Sequence, residues 1–297
     1  MISVIELIFA ALSSASMAIV LKCFRKQEGN RYGVLLGNYL TCMLLSFLLL
    51  SEKDIILHLD ITTVICGIAG GILFVAGLVS MQSSIRINGA ILTSAFSKLG
   101  LVVPLLISVI FLGESIRALQ IPGILMILVS FWLISTDPEA GGNPGTGSAP
   151  EAAGNIRVHP LLLLIVLLSC GGGDAMAKLF DHFGQRSRDS LYFLILFTVA
   201  AVITLILLLA EQHKTGKKVS VKEFMAGILV GIPNYFSSFL LLKALNGLPA
   251  FIVYPCFSAG TLLLVTLAGT AIFHERPGKR TWAGLAIIAA SLVLLNL

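Results

Sequence analysis

The sequence predicts an all-α membrane protein of ten transmembrane helices in two inverted five-helix repeats. Composition is the first observation behind this: the 297 residues are 57% hydrophobic and only 12% charged, where a soluble domain holds roughly 45–50% apolar and about 25% charged residues. The second is that apolar stretches of about 20 residues, each able to cross ~30 Å of hydrocarbon at ~1.5 Å per residue, recur along the whole chain. The third is a single long polar connection that divides five such stretches from five.

In order, the spans fall at 3–22, 32–51, 62–84, 88–112 and 117–135, then 160–180, 190–210, 222–245, 249–273 and 280–297. The first follows "MISVIE", which carries Glu6 and no basic leader, so it reads as a retained helix and not a cleaved signal. Between the halves lies "TDPEAGGNPGTGSAPEAAGNIRVH", 136–159, too poor in large apolar residues to fold alone. The domains are therefore 1–135, a flexible linker at 136–159, and 160–297. Cys23, Cys42, Cys66, Cys170 and Cys256 fall in or beside apolar segments without CxxC spacing, and read as small fillers instead of disulfides or metal ligands.

The halves align. Sliding residues 88–135 onto 249–296, a shift of 161, matches Phe96-Ser97 with Phe257-Ser258, Glu114 with Glu275, Gly123 with Gly284 and Ser130 with Ser291. A shift of 156 pairs Lys22 with Lys178. GxxxG pairs stand in the third span of each half, at Gly67/Gly71 and Gly227/Gly231, where small residues let helices pack closely whether or not the halves share an ancestor. An odd number of spans per half sends the second half into the membrane from the opposite side. Inverted repeats of this kind are the usual build of secondary transporters.

The ending "PLLISVIFLGESIRALQIPGILMILVS", 104–130, and its counterpart "TLAGTAIFHERPGKRTWAGLAIIAAS", 266–291, show an apolar helix, a terminal Glu, a short loop and a Gly-containing final span. With five-plus-five spans, the chain resembles the EamA-like family of the drug/metabolite transporter (DMT) superfamily. That resemblance implies ten helices around a central cavity. It departs at His274, which replaces the equivalent of Gly113, at Val265, which replaces Pro104, and in the first span, which lacks a frequent Trp after "SSAS".

Two charges stand deep in apolar runs. A lysine at a helix centre costs about 2.5–3.5 kcal/mol on insertion scales, so Lys98 should face protein or water. It lies ~15 Å into its span, and Asp174 enters from the same face to ~21 Å. Opposite signs at similar depth admit a structural ion pair joining the halves. They equally admit a site in which Lys98 attracts an anionic substrate group and Asp174 is its counter-ion or a proton-coupling carboxylate. Snorkelling of Lys98 to the headgroups is a further reading. The repeat mates are Ala259 and Ala18, so charge breaks the symmetry of the backbone.

Around this depth, "GIPNYFSSF" offers Asn234 and Tyr235 behind Pro233, and "VYPCFS" offers Tyr254 and Ser258 around Pro255; Ser97 adjoins Lys98. Proline frees a carbonyl, which a wet cavity or a neighbouring helix can satisfy. Each of these residues alone fits packing or a helix–helix hydrogen bond; together they make a cavity lining. Gly171–Gly173, just before Asp174, imply close packing or local unwinding. The family resemblance implies a structural role for Glu114 and Glu275, closing contacts with the helix that follows each; a solvated interface carboxylate is the alternative.

No HExxH or Cys/His cluster points to metal or acid–base catalysis, and no cofactor is expected. "GNPGTGS" lacks the lysine of a P-loop. A net charge of +5 resides mostly in short loops and reports orientation, not nucleic acid. The Lys and Arg excess places both termini outside the cytoplasm, whereas the family habit places them inside. The reading is a plasma-membrane secondary transporter of a small polar or anionic metabolite, monomer or homodimer, in a lipid bilayer. The alternatives are a membrane-embedded enzyme acting on a lipid-linked substrate and a non-transporting scaffold.

Overall fold

A computed structural model describes residues 2–23, 31–50, 59–115, 117, 120–137, 159–216, 218–274 and 277–296. The described residues form α1 (Ile2–Cys23), α2 (Arg31–Leu48), α3 (Ile61–Asn88), α4 (Ala90–Leu99), α5 (Val102–Ile110), α6 (Gln120–Ser135), α7 (Pro160–Phe183), α8 (Asp189–Thr215), α9 (Val221–Leu245), α10 (Ala250–Phe273) and α11 (Lys279–Asn296). Of the expected linker, residues 138–158 lie outside the described set. Seven segments are long and apolar enough to cross a membrane, with α4 and α5 together making the Leu92–Ile110 segment; α2 and α6 are shorter apolar helices. Ile8, Phe9, Trp132 and Ile206 point outward, as a lipid-facing rim requires.

The fourth expected span is broken where the sequence reading drew one helix. Pro104 cannot donate to Gly100, four residues earlier, and its ring crowds that carbonyl. The ladder tightens instead, with Leu101 N–H donating to Lys98 O at 3.3 Å and Val103 N–H to Gly100 O at 2.9 Å. In the second half, with Val265 at the matching position, α10 runs through unbroken. Gly113, just past α5, and His274, just past α10, both hold left-handed backbones, at φ 71° and 52°. The substitution that separates the two endings in sequence thus leaves their turn the same, since His is among the residues that tolerate this region.

Small residues decide which helices meet. In lipid there is little hydrophobic gain from helix contact, so close van der Waals approach must supply it. Gly33 faces Val219, Gly37 faces Phe224 and Gly231 faces Thr41, so α2 and α9 run parallel; a Cβ on Gly231 would come 2.6 Å from that of Thr41. Gly67 faces Ile195 and Gly71 faces Val199, so α3 and α8 are parallel too. Both GxxxG pairs therefore do the same job. By contrast α6 and α11 are antiparallel: Asp137, just past α6, accepts from the N–H of Thr281 at 2.8 Å near the start of α11.

A buried aromatic cluster fills the centre. The Phe197 ring lies 6.4 Å from Tyr39, 6.2 Å from Phe74 and 6.4 Å from Tyr235. A second apolar cluster, around Ile127, Phe131, Phe251 and Ile288, joins α5, α6, α10 and α11.

Gly171 on α7 abuts the break in span four: a Cβ there would overlap the Gly100 carbonyl and come 2.8 Å from Val103 Cβ. Gly173 would meet nothing within 4 Å. Gly171→Ala should therefore destabilise the protein by ~1–3 kcal/mol. Gly173→Ala should be neutral or gain up to ~1 kcal/mol of helix propensity. Thermal unfolding in detergent separates the two.

Candidate functional site

The site is assembled by three local devices. Gly89, at φ 80°, is the whole connection between α3 and α4. Next to it, Asn88 accepts from the N–H of His159 at 2.6 Å, tying this turn to the start of α7. Farther along, the Gly100–Gly171 contact brings α4 and α7 backbone to backbone, and Ser97 Oγ donates to Cys170 Sγ at 3.5 Å across the same seam. Cys170 thus has a polar neighbour and is more than a filler. Cys42 likewise donates to Gly231 O at 3.2 Å.

This seam carries Lys98, on α4, and Asp174, one turn past Cys170 on α7. Each lies within the other's electrostatic reach, and both are largely buried. No contact of ion-pair length joins them, and neither side chain hydrogen-bonds another described residue.

Tyr254, on α10 and 1% exposed, donates from its hydroxyl to the backbone carbonyl of Asp174 at 2.7 Å. It fixes the α7 backbone at the acid. Ser258 is half-buried one turn farther along α10. Of the other expected lining residues, Asn234 donates to Asn38 Oδ1 at 3.0 Å, and Tyr235 stacks with Phe239 at 5.7 Å between ring centroids. Their contacts are to α2, α8 and their own helix. Proline at 233 and 255 leaves α9 and α10 continuous.

Tyr192, on α8, was not singled out from sequence. Its ring stacks on Phe180 at 4.4 Å, it lies within electrostatic reach of Asp174, and its buried hydroxyl has no partner among the described residues. An apolar stretch of Leu, Phe and Ile around it gives no sign of such a neighbour. Glu114 is the other surprise. It does not close on its following helix: Oε1 pairs with Lys178 Nζ at 2.9 Å, and Oε2 accepts from the N–H of Ala250 at 2.9 Å. Lys178 also holds Asp181, at 2.9 Å. Glu275 lies outside the described residues.

Comparison with known proteins follows the same lines. The model of the EamA-like transporter family matches residues 160–297. An uncharacterized protein of Haemophilus influenzae is 25% identical over 98% of this chain and 97% of its own. A probable glucose uptake protein, GlcU, of Staphylococcus aureus is 30% identical over 79% of this chain and 78% of its own. The glucose uptake protein GlcU of Staphylococcus xylosus is 26% identical over 88% and 86%. One solved crystal structure superposes with a TM-score of 0.72 over 99% of this chain and 96% of its own, at 13% identity, a likeness of fold.

The two tyrosines make opposite demands. Tyr254→Phe removes a made hydrogen bond and should cost ~1 kcal/mol. Tyr192→Phe removes an unsatisfied hydroxyl and should be neutral or stabilising by up to ~1–3 kcal/mol. Thermal midpoints of the purified variants read both.

Proposed function

The chain belongs to the EamA-like transporter family, and on that premise we propose that it is a secondary transporter moving a hexose or similar polyhydroxylated metabolite by alternating access. It is a multi-pass integral protein of the plasma membrane that transports a small metabolite. The facing of Lys98 and Asp174 across the α4–α7 seam carries the finer reading. One positive and one negative group leave the lining with no net charge. An uncharged substrate with many hydroxyls suits it better than an anion does, because a hydroxyl can accept from the ammonium and donate to the carboxylate at once. Glucose uptake by the staphylococcal relatives supports the same class.

The halves, 1–135 and 160–297, are read as inverted repeats of five spans. The parallel α2/α9 and α3/α8 pairs, each closed by its own GxxxG, and the antiparallel α6/α11 pair support this, as an inverted two-fold relates the first two and maps the third onto itself. Rocking of one half against the other would expose the seam to each face in turn. Asp174 can serve proton coupling in the same cycle.

Uptake of radiolabelled hexoses into proteoliposomes, with and without a pH gradient, tests this. Wild-type protein should show saturable flux. Lys98→Ala and Asp174→Asn should each lower it about ten- to a hundredfold, the worth of a hydrogen bond to a charged group. Wild-type rates in both variants would remove these residues from the mechanism. A wider metabolite screen that finds no flux at all would overturn transport itself.

A further inference from the structure

We infer that Glu114, Lys178 and the N–H of Ala250 form a charge latch that closes the 111–120 face of the site and opens in each transport cycle. This rests on the alternating-access reading above and adds to it the gate.

The geometry is that of a clasp between halves. Glu114 stands at the end of span four, in the first half. With one oxygen it holds Lys178 on α7 and with the other the first N–H of α10, so a single carboxylate ties its half to two helices of the second. The neighbouring Lys243–Asp189 pair, at 2.7 Å, joins α9 to α8 inside the second half and needs no breaking when the halves separate. Position matters as much. Lys178 is four residues past Asp174 on one helix face, so the clasp sits ~6 Å from the site, on the way to the membrane surface.

The chemistry suits a gate better than a permanent weld. Burying an ion pair gains little net stability, because desolvation offsets the attraction, whereas leaving one partner buried and alone is costly. Here opening leaves no such orphan. Asp181 travels with Lys178 on α7 and keeps it paired at 2.9 Å, while Glu114 carries 19% side-chain exposure even when closed and lies where water can take it. The contact can thus be made and broken at modest cost.

Labelling of Cys170, beside the site, reports gate opening without reference to substrate. A membrane-impermeant maleimide is applied to the full-length protein in spheroplasts and in inverted vesicles, exposing each face in turn. Peptide mass spectrometry then resolves Cys170 from the other cysteines. Glu114→Gln, which keeps an acceptor for Ala250 but loses the charge, should speed labelling from the 111–120 face about tenfold or more and slow it from the other. Lys178→Arg, which keeps the charge, should leave the wild-type pattern. Unchanged labelling in folded Glu114→Gln overturns the latch; should that variant not fold, unchanged labelling in Lys178→Gln does so. Altered labelling without hexose flux keeps the latch and sinks the sugar reading. Hexose flux with unchanged labelling keeps transport and sinks the latch.

Discussion

Where Gly100 meets Gly171, two backbones touch in the middle of the membrane, and the arrangement of the polar site follows from that touch. Side chains of ordinary size would hold the axes of packed helices 8–10 Å apart. The missing side chains at both positions let α7 seat against the break in span four, with Ser97 and Cys170 meeting beside the contact. Lys98 and Asp174, two residues before one glycine and three after the other, are brought face to face as a result. The same device at Gly231 and Gly71 seats α9 on α2 and α3 on α8.

Inside lipid every polar group needs a protein partner, and the fold answers this mostly over short range. Thr41, Ser46, Thr198 and Thr266 each return their hydroxyls to the carbonyl four residues earlier on the same helix. Asn38, Cys42 and Asn234 satisfy one another across α2 and α9. Some hydroxyls are left over: those of Tyr39, Ser108 and Thr204 have no hydrogen-bond partner among the described residues, and neither has the Tyr192 phenol, which lies within electrostatic reach of Asp174.

Much of this was legible in the sequence, because it rests on local composition. Apolar length marks the helices, glycine spacing marks the close seams, and a charge in an apolar run marks itself. Lys98 and Asp174 could be placed at similar depth simply by counting residues from the membrane surface. What escaped depends on distant partners. Glu114 reads as a helix-end carboxylate until Lys178, 64 positions on, is seen against it. Asn38, 196 positions before Asn234, is likewise a partner that only the fold shows. Tyr192 is one of three aromatics in α8, and its stacking on Phe180 of α7 joins stretches of chain that the sequence does not pair. Pro104 was noticed, yet how far it would interrupt the helix depended on packing against α7.

That interruption has a mechanical side. A continuous α-helix transmits rotation from one end to the other through its unbroken hydrogen-bond ladder. Span four instead passes through a tight turn at Gly100 and Leu101, so its two segments, Ala90–Leu99 and Val102–Ile110, act as separate levers about one pivot. Lys98 rides on the first and Glu114 lies beyond the end of the second. One stretch of chain crossing the membrane thereby carries two independent arms, and a shift at one need not drag the other by the same angle.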